Sequence, residues 1–256
     1  MAAVAARQAA PAIPLLRRLP EVLGVATVLT QIAYPLFSGT GRNVLTMVVV
    51  SLFFAASVGH ALVWRGARSA LWLVAVTAGG GLAVEAVGQA TGVPFGSYAY
   101  SDTLPPKLAG VPWVIPLAWT MMAYPALIVG RRISRGPLLG PTVAAAALAA
   151  WDLYLDPQMV AAGHWSWEPS RWALLGIPLT NFAGWFAVAL LMMAVLWRRV
   201  DDRPADDRLP TALYLWTWAG SLVAHALFLG LPASALVGGV GMGAVVIAFL
   251  FALRRA

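Results

Sequence analysis

Eight apolar stretches, each near the ~20 residues that cross a bilayer as a helix, fall at roughly 20–37, 43–64, 69–90, 111–130, 137–160, 178–198, 210–229 and 231–253. Hydrocarbon offers no water to unpaired N–H and C=O groups, so a spanning stretch that pairs its own backbone is a helix. The sequence therefore predicts an all-α integral membrane protein, a bundle of about eight transmembrane helices in one domain over 1–256. Composition agrees: 61% of the residues are hydrophobic, 11% are charged, and the mean hydropathy is +0.78. There is no cysteine, which excludes a disulfide framework, a thiolate metal site and a cysteine nucleophile.

A net charge of +7 could suggest a nucleic-acid partner, but the basic residues sit in short clusters beside apolar segments, where they set topology. With the N-terminus inside, the cytoplasmic segments hold Arg7, Arg17, Arg18, Arg65, Arg68, Arg131, Arg132, Arg135, Arg198, Arg199, Arg203, Arg208, Arg254 and Arg255. Only Arg42, Lys107 and Arg171 fall on the other side. Both termini are then cytoplasmic. Residues 1–19 read as a basic tail, because no small-residue cleavage site clearly follows the first apolar run. The outer loops are 94–109 and 161–177, the acidic loop 199–209 is cytoplasmic, and the expected location is a bacterial plasma membrane, with membrane lipids and no nucleic acid as partners.

Glycines in the last span, Gly238, Gly239, Gly241 and Gly243, imitate a nucleotide loop but have no preceding strand, so close helix packing is the expectation. Gly79, Gly80 and Gly81 receive the same reading, as a place where a neighbouring backbone approaches just below Glu85.

Ionisable residues inside spans are costly and usually face a cavity or a partner. Three of them share a depth: Glu85, Asp152 and His225 each lie 15 or 16 residues beyond the cytoplasmic start of a span, roughly 22 to 24 Å up. Asp156 follows Asp152 by four residues, on the same helix face one turn higher. Asn181 and Trp119 reach comparable levels on descending spans. His60, near the cytoplasmic end of its span, reads as a structural histidine, and Trp216 and Trp218 as packing or interface anchors. Two outer loops, one carrying Pro94, Phe95, Gly96, Tyr98 and Tyr100, the other His164-Trp165-Ser166-Trp167-Glu168, are rich in rings. They suit either a lid over an apolar ligand or an interfacial aromatic belt.

These residues resemble the membrane carotenoid hydratases, which add water to carotenoid end groups. The likeness is carried by Glu85-x-x-Gly88-x-x-Thr91-Gly92-x-Pro94-Phe95-Gly96-x-Tyr98-x-Tyr100, Gly110-Val111-Pro112, Asp152-x-x-x-Asp156-Pro157, Trp165-x-Trp167 and Gly176-Ile177-Pro178-x-x-Asn181-x-x-Gly184-Trp185. The resemblance implies a carotenoid or other isoprenoid lipid as substrate and no metal, nucleotide or flavin cofactor. Hydrating a trisubstituted alkene needs an acid, a short-lived tertiary carbocation and a placed water. A carboxyl group away from water, beside a second one, can hold a proton for that purpose. Asp156 or Glu85 is the candidate acid, and Asn181 or Asp152 the group that orients water. Trp119, Tyr98 and Trp185 are candidates to face the cation. Tyr100, Phe95, Trp165 and His225 complete the expected substrate-binding set.

Three rival readings stay open. A prenyltransferase is suggested by Asp152-x-x-x-Asp156 and the acidic run Asp201–Asp207, but these fall at opposite ends of the bundle. An isoprenoid cyclase or isomerase would use the same protonation step. A carotenoid or lipid carrier or a transporter would show no need for several buried carboxylates, and no internal repeat favours a transporter.

Overall fold

A computed structural model describes residues 14–255; most of the expected N-terminal tail, 1–13, lies outside them. The first rod is α1 (Pro14–Ala33), ending in a 3₁₀ turn at Tyr34–Leu36, and the second is α2 (Gly39–Arg65). The third comprises α3 (Ala67–Val74), a π-type turn at Ala75–Gly79 and α4 (Gly80–Thr91). Then come α5 (Val114–Ile133), α6 (Leu139–Ala161), α7 (Leu179–Arg199), α8 (Arg208–Val223) with a π-type turn at Ala224–Phe228, and α9 (Pro232–Leu253). The eight expected spans are thus eight rods. Six are long and apolar enough to cross a membrane. The two less apolar rods are α6, which carries the buried Asp152 and Asp156, and α8, whose π-type turn carries the buried His225, so polarity there is spent on the interior rather than on lipid.

The rods are arranged around α5. From Val114 to Arg131 every residue but Leu117 is buried, and α5 packs against α2, α4, α6, α7, α8 and α9. A helix apolar on all sides belongs there. Inside it Pro125 has no N–H to give, so the Met121 carbonyl four residues back lacks its helical donor; the Ser57 hydroxyl of α2 supplies one, at 2.9 Å. The same device recurs in α6. Pro157 frees the Leu153 carbonyl, and the Ser234 hydroxyl of α9 donates to it at 3.1 Å. Neighbouring serines make internal prolines tolerable where water is absent.

One end of the bundle gathers arginines. Arg65 pairs with Asp207, Arg132 also reaches Asp207, and Arg131 and Arg135 share Asp202. His60 ties this end together, with Nδ1 2.9 Å from the Tyr124 hydroxyl and Nε2 2.8 Å from the Asp206 carbonyl, the structural role expected of it.

The opposite end is closed by short strands the hydropathy pattern did not announce: β1 (Tyr98–Tyr100), β2 (Lys107–Leu108), β3 (Val111–Pro112), β4 (Trp165–Trp167), β5 (Ala173–Leu174) and β6 (Ile177–Pro178). The two ring-rich loops meet here. β1 runs antiparallel to β4, with Tyr98 opposite Trp167 and Tyr100 opposite Trp165. A freely floating aromatic belt would not pair, so the lid reading gains support. One glycine expectation needs correcting. Gly79 has open space beside it, and what presses on Gly81 is the Trp119 ring, where an added Cβ would come within 2.8 Å of Cδ1, not a backbone. The last-span glycines do mediate helix packing: Gly238 lies under the Tyr154 ring and Gly239 meets Leu222.

Candidate active site

Glu85 lies on α4, just beyond the π-type turn, and is buried. Its Oε2 accepts from the Tyr98 hydroxyl at 2.6 Å and the Tyr100 hydroxyl at 2.8 Å, and its Oε1 from Trp119 Nε1 at 3.0 Å. The tyrosines converge because residues two apart on a strand share a face. Gly88, one turn above, leaves the passage: a Cβ there would stand 2.9 Å from the Tyr98 hydroxyl. Three neutral donors thus aim at one carboxyl group, an arrangement that suits an acceptor-only side chain.

A second carboxyl cluster faces it from α6. Asp152 and Asp156, one turn apart, both accept from Asn181 of α7, whose Nδ2 donates to Asp152 Oδ2 at 2.8 Å and to Asp156 Oδ2 in a short contact. Trp165 Nε1 of β4 donates to Asp156 Oδ1 at 3.1 Å. Asp152 Oδ1 is buried and has no partner among the described residues. Two carboxyl groups drawn to one amide, with no cation paired to either among the described residues, leave a natural seat for one proton between them.

Between the clusters, Trp119 and Trp185 stack with ring centroids 3.9 Å apart and planes 10° from parallel; Trp151 meets Trp185 edge-on. These side chains, Asp152 excepted, border one partly open cavity. It runs sideways past α5 and α6 to α1, α2 and α8, where Gln31, Tyr34, Thr46 and Trp216 border it.

Of the residues singled out from sequence, Glu85, Asp156, Asn181, Phe95, Tyr98, Tyr100, Trp119, Trp165 and Trp185 line this cavity. Asp152 is joined to it through Asn181. His225, expected to bind substrate, stands behind the wall: it is fully buried and touches two residues that line the cavity, Gln158 by a hydrogen bond and Tyr154 edge-on. Gln158, Trp151, Tyr154 and Gln31 were missed, and Trp216 is a cavity residue that donates from Nε1 to Gln31 Oε1 at 2.8 Å, while Trp218 packs against α9. A polar Gln beside Pro157, between two apolar turns, was the available signal.

The lid is anchored at its foot by His164. Its Nδ1 lies 2.8 Å from the Thr103 hydroxyl, and its carbonyl accepts from Ser101 N at 2.9 Å. Burial pushes this imidazole down to about 4.

Fold and site together define an all-α membrane protein with an acid-walled, aromatic cavity. The chain belongs to the carotenoid biosynthesis protein family, whose pattern matches residues 43–251. It is similar to a bisanhydrobacterioruberin hydratase of Haloarcula japonica, 35% identical over 166 residues, which cover 58% of this chain and 55% of that protein. The match therefore spans about half the length of the relative. No solved structure matches the chain.

Proposed function

We propose that this protein is a carotenoid hydratase, a carbon–oxygen lyase that adds water across a terminal C=C bond of an isoprenoid chain. The observation that carries the reading is the Asp152–Asp156 pair on one Asn181 amide, set in the wall of an aromatic cavity opposite a carboxyl group saturated with donors. Asp156 gives its proton to the less substituted alkene carbon, and the π electrons form the new C–H bond, leaving a tertiary cation. The indole faces of Trp119 and Trp185 and the phenol of Tyr98 disperse that charge. Glu85 already accepts three hydrogen bonds, so its part is that of a fixed negative counter-charge rather than the donor. A water held by Asn181 or Asp152 adds its oxygen to the cation and returns one proton to Asp156. The net change is one water added and the acid restored.

The lateral reach of the cavity suits a long, insoluble ligand arriving from lipid, and the hydratase named among its relatives supports the reaction class. We place the protein in the plasma membrane with the arginine-rich end in the cytoplasm. The test is expression in cells that accumulate acyclic or monocyclic carotenoids, followed by mass analysis of the pigments. A product heavier by one water is expected. A product of unchanged mass with a new ring would make the chain a cyclase, in which an internal alkene captures the same cation; unchanged pigment would reject both.

A further inference from the structure

The cavity has a second polar wall that the hydration chemistry does not use. On a helix, Asp156 and Gln158 point about 160° apart. The cavity follows the arc between them, past Met159 and Leu155, so that acid and amide stand at its two ends.

What fixes the amide is a chain of hydrogen bonds with one consistent arrangement. Pro157 leaves the Leu153 carbonyl without a helical donor, and the Ser234 hydroxyl spends its only proton there, at 3.1 Å. Ser234 Oγ must therefore accept from His225 Nδ1, 3.0 Å away. The imidazole is wholly buried in its span and pairs with no carboxylate among the described residues, so it is neutral and its Nε2 is an acceptor. The Gln158 amide, placed with Oε1 toward the imidazole, meets that Nε2 at 3.0 Å. A carbonyl oxygen at this position would set two acceptors face to face, here or at Ser234, whichever tautomer is chosen. The NH₂ end of Gln158 therefore donates to His225, and the two ends of a side-chain amide interchange by a half-turn. The carbonyl end is left for the cavity that Gln158 lines.

We propose that this wall is a subsite for a hydroxyl group carried by the isoprenoid ligand, with the Gln158 carbonyl as acceptor and His225 as its positioning residue. A buried carbonyl held in place discriminates strongly, because a ligand without a donor leaves it unpaired. The subsite rests on the reading of the cavity as an isoprenoid site, and it adds selectivity between ligands of equal length.

The experiment measures binding without turnover, on the purified Asp156→Asn protein in detergent, by tryptophan quenching. The probes are two carotenoids of one length: a hydrocarbon, and its analogue with one tertiary hydroxyl at an end. The hydroxylated ligand is expected to bind about tenfold tighter. Gln158→Met, which keeps the length and loses the acceptor, should bring the ratio close to one. His225→Leu should lower the ratio while leaving the hydrocarbon's affinity in place, which a general loss of packing would not do. Equal affinities in the protein with Gln158 and His225 intact, or a preference that survives Gln158→Met, would overturn the subsite. Failure of both carotenoids to bind would overturn the isoprenoid reading and the subsite with it, and is distinguishable from equal binding.

Discussion

The two ends of the bundle use acidic side chains in opposite ways. At the arginine-rich end, Asp201, Asp202, Asp206 and Asp207 each meet at least one guanidinium. At the aromatic end, Glu85, Asp152 and Asp156 meet only phenols, indoles and an amide. A carboxylate locked to arginine cannot readily take up or release a proton, whereas one held by neutral donors keeps that freedom. Charge at the first end fastens rods together; at the second, on the proposed reading, it is kept available for chemistry.

The contrast predicts where substitutions should hurt activity and where they should hurt stability. Its strongest expectation is Asp156→Asn: the amide keeps shape and hydrogen bonding but carries no acidic proton, so hydration should fall by about 10³-fold with little change in melting. A well-folded variant with near-normal turnover would erase the difference between the ends. Glu85→Gln should also impair turnover, since an amide cannot oppose a cation or accept from all three donors.

The next effect belongs to the other end. Arg65→Met removes a buried partner of Asp207, and breaking such a pair costs about 3 kcal/mol. Melting should drop by several degrees while turnover per folded molecule stays as it was, and a selective loss of turnover would sink the division of labour.

A smaller effect concerns the lid. His164 sits near 4 in the folded protein because burial disfavours its cation, against 6.5 when exposed. Between those values the unfolded chain binds more protons, so stability falls as the pH drops from about 6.5 to 4, by at most about 3 kcal/mol. Thermal melts across that range should show the slope, and His164→Asn should flatten it. Asp206, held at about 2 chiefly by its hydrogen bond from the Arg208 side chain, stays ionised throughout the same range. Its ion pair contributes above the ordinary carboxyl value of 3.8 and is lost only as the pH falls toward 2.

The smallest expected change is Tyr98→Phe, which removes one of three donors to Glu85 and should slow hydration by about tenfold, or 1.4 kcal/mol. Tyr100→Phe is a companion test, because both hydroxyls reach the same oxygen. A rate unchanged in both variants would show that the donors serve packing alone.

Much of this was legible before the structure. Hydropathy located all eight rods because lipid tolerates few alternatives, and the cost of charge in a span pointed to Glu85, Asp152, Asp156 and His225. Periodicity, however, describes one helix at a time. It could say that Asp152 and Asp156 share a face, not that Asn181 would bridge them, nor that His225 would turn to Gln158 and away from the cavity. The π-type turns at Ala75–Gly79 and Ala224–Phe228 rotate the faces beyond them and leave no mark in composition. The β1–β4 pairing depends on two loops more than sixty residues apart, which local pattern cannot register.

The proline–serine pairs bear on the order in which the molecule is made. The Met121 carbonyl meets Ser57, synthesised 64 residues earlier, so α5 enters the membrane with its donor already waiting. The Leu153 carbonyl has no such predecessor, for Ser234 arrives 81 residues later on α9, the last of the described helices. Until then α6 carries an unmatched carbonyl and His225 lacks the neighbour that sets its tautomer. A nascent chain halted before Pro232 is therefore expected to leave the site half built, acids in place and far wall unsettled, so that ligand capture becomes the closing event of biogenesis.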